Sequence, residues 1–247
     1  DLNTSIFSVL YSRGKNLLRK IIEDNSDWKQ YGKNQKNTDF ERSNIISFVG
    51  KRGTGKTSAM LSFKDMLDLH TSTQNYGIEQ IELFSEDPNF KNTKFYTLDC
   101  IDASIMEESE NVFILVLANM FAKIQHHAQG EAQKIREYDN RMLFQKFEKI
   151  YEDYVSLNSS ETVSDGYSAF EKMRNAGSSQ KIRENFEELV KLYLDTIDSN
   201  SRDLMKTEQR FLVITLDDID IARRKKGDGK ENWGTYKIMS TIYKYLT

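Results

Sequence analysis

Cysteine occurs once in this chain, as Cys100, and proline once, as Pro88. A lone cysteine rules out an internal disulfide and fits a reducing cytosol. No apolar run approaches the roughly 18 residues that a membrane span needs, so no segment is expected to cross a bilayer. No charged-then-apolar leader opens the chain, so secretion is not expected and the predicted location is cytoplasmic. The formal net charge of −3 gives no global pull toward nucleic acid, although it leaves room for a local basic patch. Asn, Lys and Ile are plentiful beside the single proline, a leaning that resembles AT-rich bacterial coding. The three histidines, His70, His126 and His127, show no metal-ligand spacing and are expected at the surface or satisfied in the core. Cys100 is expected to be an inert buried thiol, and Trp28 and Trp233 to pack.

What is present is ordinary for a globular protein. Hydrophobic residues make up 38% and aromatics 11% of 247 residues, enough to bury a full core in one or two domains. Beginning at Asp1 without methionine and stopping at Thr247 after a helical pattern, the chain is expected to be a piece of a longer protein.

Apolar periodicity predicts an amphipathic helix over 5–23, with Ile6, Val9, Leu10, Leu17, Leu18, Ile21 and Ile22 near helical spacing. A polar connector follows over 24–43. Ile45 to Val49 is a short β-branched run read as a buried strand, and 56–69 as a helix. Lys94 to Cys100 is a second strand. Ser104 and Glu107 then match a capping box ahead of a buried helix over 112–124. Further helices are predicted over 131–157, 167–173, 180–197 and 236–246, with a mobile loop over 158–166. A third strand, Phe211 to Leu216, is nearly all apolar and is expected at the centre of its sheet. Strands separated by helices predict an α/β fold with a mainly parallel sheet flanked by helices. The division expected is an N-terminal helix and connector over 1–43 and a core over 44–247. A helical insertion of about 104–200 separates the second and third strands.

Gly50-Lys51-Arg52-Gly53-Thr54-Gly55-Lys56-Thr57 fits the phosphate-loop pattern G-x-x-x-x-G-K-[ST] completely. Glycines let the backbone turn with its amides inward, so loop and helix N-terminus can cradle phosphate oxygens. Gly50, Gly53, Thr54, Gly55, Lys56, Thr57 and Ser58 are the expected nucleotide contacts. Lys56 would reach the β- and γ-phosphates, and the Thr57 hydroxyl would hold Mg2+.

Far along the chain, the apolar run from Phe211 ends in Asp217-Asp218, the form of a Walker-B strand. The first acid would anchor Mg2+ through water, and the second would polarise the attacking water. Asp217 is therefore the metal-side candidate beside Thr57. Asp218 is the candidate catalytic base beside Lys56, with Asp220 as the fallback for either role. Asp at strand ends also arises from turn and cap preferences alone. Asp218 stands where many hydrolysing relatives carry Glu, one methylene longer, so slow turnover is expected. Arg223, Arg224, Lys225 and Lys226 form a solvated basic loop, with a nucleic-acid contact or an arginine finger as the functional alternative. Asp99 and Asp102 flank the end of the second strand, where α/β proteins gather site residues, although a turn and helix start beside Ser104 accounts for them equally well.

With both motifs placed, the chain resembles P-loop ATPases of the AAA+ and STAND type. The resemblance rests on Phe48 to Met60 and on Leu212 to Asp220, whose Asp-Asp-x-Asp ending is typical of STAND-like members. It is also similar to large ATPases of bacterial antiphage systems, the RADAR type among them. Leu98 to Ser104, leading into a long helix, adds to the likeness. The resemblance implies ATP as nucleotide with Mg2+; no base-reading motif is visible, so the residues alone do not separate ATP from GTP. It also implies a central phosphate-loop strand beside the Walker-B strand, ring or induced homo-oligomers, and protein partners. The long gap from Lys56 to Asp217 departs from compact AAA+ domains, and no sensor strand or lid is visible. The function expected is an ATPase core driving assembly or conformational change in a larger protein, antiviral defence being one setting. A DNA-handling loader or motor and a nucleotide-dependent scaffold with little hydrolysis remain the alternatives.

Overall fold

The computed structural model describes residues 7–31, 44–51, 53–76, 82–85, 87–106, 111–128, 137–159, 178–198, 209–219 and 233–246. In chain order these form helices α1 (Ser8–Tyr31), α2 (Lys56–Tyr76), α3 (Glu82–Ser85) and α4 (Pro88–Lys91), then strands β1 (Thr93–Thr97) and β2 (Ile101–Asp102). Helices α5 (Val112–Ala128), α6 (Glu137–Ser159) and α7 (Ser178–Ile197) follow, then β3 (Gln209–Val213), β4 (Leu216–Asp217) and α8 (Trp233–Thr241), which continues into a π-helical turn, Ile242–Leu246. Two compact units result, one within Asp1–Thr97 and Arg202–Thr215, the other within Leu98–Ser201 and Leu216–Thr247.

In the first unit, α1 turns Tyr11, Leu18 and Ile22 into an aromatic-rich core with Phe63 and Leu67 of α2, Phe84, Phe90 and Phe95. The inward face differs from the one expected: Val9, Leu10 and Leu17 are exposed. Gly14 takes their place, lying against the Phe63 ring where a Cβ would fall 2.8 Å from Cζ. The helix also outlasts its predicted end at residue 23, because the polar turn that follows finds partners at β3. Asn25 donates to Gln209 Oε1 at 3.0 Å, and Gln209 donates to the Ser26 hydroxyl.

Helix α2 likewise runs past residue 69 through Thr71, Ser72 and Thr73, polar residues of modest helix propensity, to Gln74 and beyond. Tertiary hydrogen bonds offset the propensity. Thr71 Oγ1 donates to Phe95 O at 2.9 Å and accepts the Phe95 N–H at 2.7 Å, while Gln74 Nε2 donates to Phe90 O at 2.8 Å. Helix α4 is capped by Asp87, which accepts the Asn89 N–H at 3.1 Å and is held by Arg19 Nε at 2.6 Å. Strands β1 and β3 pair in parallel with Thr93 opposite Gln209 and Thr97 opposite Val213, and Phe95 stacks on Phe211.

The strand expected over 45–49 is not formed. Ile46 and Phe48 pack against the core and Ser47 and Val49 face out, the alternation of an extended segment. Its expected neighbour β3 pairs with β1, however, and no described residue forms a ladder with 44–51. Val49 is 90% exposed, which apolar composition alone did not foretell.

In the second unit, β2 and β4 pair in parallel, Ile101 opposite Leu216 and Asp102 opposite Asp217. The apolar run expected as one strand over 211–216 is thus broken at Ile214 and Thr215. The α5 face of Phe113, Val116, Leu117, Met120 and Ile124 is buried, with Phe113 at 4.8 Å from Tyr154, 5.3 Å from Phe186 and 5.2 Å from Tyr245, centroid to centroid. The start of α5 corrects the capping-box expectation. Ser104 donates its N–H and hydroxyl to Asp102 Oδ1 at 2.8 and 2.6 Å, which fixes a turn. Asn111, accepting the Phe113 N–H at 2.9 Å, caps the helix instead. Asn158 and Ser159, expected in a loop, complete α6. The helix predicted over 167–173 lies outside the described residues.

Candidate functional site

The phosphate-loop motif begins where the extended segment after Asn44 ends. Gly53 and Gly55 have φ of 79° and 78°, left-handed values that an L side chain adopts only under strain. Between them Thr54 is tied back: its N–H and its hydroxyl both donate to Lys51 O, at 3.3 and 2.8 Å. The chain then enters α2 directly, with the Ala59 N–H on Gly55 O at 2.9 Å. Gly55 has a second reason to lack a side chain, since a Cβ there would lie 3.0 Å from Phe7 Cζ, whereas one at Gly53 would meet nothing within 4 Å.

Amides of a first helical turn have no acceptor within their own helix, and the helix dipole makes that end positive. The first turn of α2 holds no acidic residue to neutralise it. Thr57 and Ser58 are exposed there, and Lys56 is half-buried. Lys56 Nζ folds over the loop, donating to Gly50 O at 3.1 Å and Lys51 O at 3.3 Å. A left-handed glycine pair, open first-turn amides and an ammonium at the same loop fit the donor set that a polyphosphate requires. Gly50, Gly53, Thr54, Gly55, Lys56, Thr57 and Ser58 are thus brought together; Arg52 lies outside the described residues.

The acidic pair Asp217-Asp218 belongs to the second unit. Asp217 closes β4, its backbone O accepting the Ala103 N–H at 3.0 Å. Its carboxylate Oδ1 accepts the N–H of Asp218 at 2.9 Å. Asp218 has φ of 50°, uncommon outside glycine though better tolerated by Asp than by most residues. Thr235 of α8 donates to Ile219 O at 2.7 Å, which secures the chain just beyond the acidic pair. Across the strand pair, the hydrogen bonds from the Ser104 hydroxyl and N–H hold the Asp102 carboxyl below its usual range. Asp99 is exposed and faces Lys123 at 3.6 Å. Asp220, Arg223, Arg224, Lys225 and Lys226 lie outside the described residues, as do the side chains of Trp28, Trp233, His126 and His127.

His70 is buried against Phe84, Phe90 and Phe95, with Nε2 at 3.1 Å from Phe90 O and 3.2 Å from Thr93 O. The two carbonyls call for a proton on this nitrogen, whereas the Gln74 amide nitrogen, 3.0 Å from it, calls for a bare one, so the tautomer sets which of these bonds is made. Cys100 is half-buried rather than buried as expected. Sequence reasoning missed Phe7, whose contact with the loop is made across the fold and leaves no local signal. No described helix is long and apolar enough to cross a membrane. Comparison of the chain with protein-family models, with curated proteins and with solved structures finds no match.

Proposed function

We propose that this chain is the nucleotide-binding core of a P-loop ATPase with an α/β fold, using ATP and Mg2+ to drive assembly or conformational change in a larger cytoplasmic protein. The observation that carries the reading is the loop itself: Gly53 and Gly55 at positive φ, with Lys56 Nζ held over the turn that leads into an acid-free helix start. In this reading the amides of 53–58 and the Lys56 ammonium bind the phosphates. The Thr57 hydroxyl would hold the metal, and on the acidic motif Asp217 would be the metal-side residue and Asp218 the group that orients water. Bound Mg2+ supplies charge neutralisation on the β- and γ-phosphate oxygens. The choice of ATP, homo-oligomeric assembly, protein partners and a role in antiphage defence follow from the resemblance to AAA+ and STAND proteins.

A second reading, nucleotide binding with little turnover, is favoured by the acidic pair. Asp217 Oδ1 is already engaged by the Asp218 N–H, and Asp218 has the shorter of the two acidic side chains. The deciding experiment measures ATP binding and hydrolysis by the full-length protein, Lys56→Ala and Asp218→Asn, with and without DNA. Lys56→Ala is expected to lose binding, and Asp218→Asn to keep binding and lose turnover. Turnover in Asp218→Asn equal to wild type would remove Asp218 from the mechanism. Absence of nucleotide binding by the wild type would end the proposal. Turnover that rises with DNA in a salt-sensitive way would favour the DNA-handling alternative.

A further inference from the structure

Phe7, the residue before α1, touches the one loop glycine whose missing side chain serves a contact as well as a backbone angle. The ring edge lies so close to Gly55 that a Cβ would fall 3.0 Å from Cζ and 3.4 Å from Cε1. Phe7 also heads a chain of rings. It lies 6.1 Å from Tyr11, Tyr11 stacks at 6.2 Å on Phe63, and Phe63 lies 6.0 Å from Phe48. Phe48 precedes the loop and Phe63 belongs to the helix that follows it, so this ring set grips both flanks of the loop while Phe7 presses on the loop itself. Gly14, flat against Phe63, lets α1 approach closely enough for all of these contacts.

Loops are the segments of a fold that open at least cost, and an anion cradle binds well only when its amides are already aimed. We propose that the first turn of α1 is a coupling element for the phosphate loop, with Phe7 as the positioning residue that keeps 53–57 in its binding geometry. This rests on the reading of 50–57 as a nucleotide-phosphate loop. With α1 seated, the loop is preorganised; a partner or chain segment that lifts the first turn of α1 loosens it and releases nucleotide. Linkage makes the effect reciprocal, so bound nucleotide must hold the start of α1 in place.

The test follows amide hydrogen exchange by mass spectrometry and ADP affinity in the full-length protein. The variants are Phe7→Ala, the conservative Phe7→Leu, and Val9→Ala, which alters an exposed side chain of the same turn. In the nucleotide-free protein, Phe7→Ala is expected to speed exchange at 53–57 about 10-fold and to weaken ADP binding about 10-fold, the ordinary size of such couplings. Phe7→Leu should recover most of both, and Val9→Ala should match wild type. Saturating ADP should slow exchange over 8–14 in wild type, and less so in Phe7→Ala. Exchange that rises equally through α1, α2 and β1 would mean general destabilisation and overturn the proposal. So would an unchanged loop and unchanged affinity in Phe7→Ala. Should Phe7→Ala fail to fold, Phe7→Leu decides: a loop indistinguishable from that of Val9→Ala overturns it. A wild type that binds no ADP ends the nucleotide reading alone, because the exchange comparison at 53–57 needs no ligand.

Discussion

Replacing Gly53 and Gly55 separately by alanine measures two different demands on adjacent turns of one loop. At Gly53 the added methyl meets nothing within 4 Å, so the penalty is the left-handed backbone alone, roughly 1–2 kcal/mol. At Gly55 the same backbone penalty applies, and the methyl also drives into the Phe7 ring at 3.0 Å. The Phe7 ring must then give by a few tenths of an ångström, an overpacking cost of about 1–3 kcal/mol. Gly55→Ala is therefore expected to destabilise the first unit by roughly 2–5 kcal/mol in all. Hydrogen exchange in β1 and the buried half of α2 reads that difference as an excess opening of about 5- to 150-fold over Gly53→Ala. Repeating Gly55→Ala in a Phe7→Ala background removes the collision and keeps the backbone term, so the added cost should fall to that of Gly53→Ala. Equal costs for the two glycines in the wild-type background would refute this reasoning. So would a Gly55→Ala penalty that the Phe7→Ala background leaves unchanged.

Two further outcomes follow from the cores. Burial among Phe84, Phe90 and Phe95 lowers the His70 pKa from its ordinary 6.5, so the unfolded chain takes the proton first as the medium acidifies. This group's contribution is complete above pH 6.5 and is lost as pH falls from there toward its lower folded value. The urea midpoint between about pH 5 and pH 8 should drop more steeply in wild type than in His70→Gln, and parallel curves would overturn the assignment. In the second unit, Phe113→Ala removes the ring shared by Tyr154, Phe186 and Tyr245 and should cost about 3–5 kcal/mol in thermal unfolding. Met142→Ala, at a 55% exposed position of α6, should stay within about 0.5 kcal/mol of wild type, and comparable losses would argue against the packing described.

Local rules carried the sequence furthest. The turn at 53–57 is set by glycine conformations and by a helix start at Lys56, all of which lie within a few residues, so the pattern was legible in full. Helix positions were legible from periodicity, but the inward face of α1 was not. Both sides of α1 carry apolar residues, and the choice of Tyr11 and Gly14 over Val9 and Leu17 is made by Phe63, far away in sequence. Helix ends failed for the same reason: Asn25, Ser26, Thr71 and Gln74 look like loop residues until their distant partners are known. The 45–49 segment shows the converse, since its apolar β-branched run gave no information about which strand would accept its hydrogen bonds. Polar β-positions were missed as well. β3 begins at Gln209 and Arg210, ahead of the expected start at Phe211, and β1 begins at Thr93, one residue before the expected Lys94. In the acidic motif the carboxylates were readable, whereas the break at Ile214 and Thr215 and the left-handed Asp218 were not, the latter because Asp tolerates that angle without requiring it.

Neither of the two units is a contiguous piece of chain. Thr93 must find Gln209, and Asp102 must find Asp217, across all of α5, α6 and α7. Contacts this distant in sequence slow folding, because the closure entropy of a long loop is lost before any strand contact rewards it. During synthesis the phosphate loop and α2 emerge long before β3, the strand that covers Phe95. Meanwhile α5, α6 and α7 can pack on one another without waiting for it. A nascent chain halted before residue 209 would hold β1 without its parallel partner strand, so the first unit closes only after the helices of the second have been made.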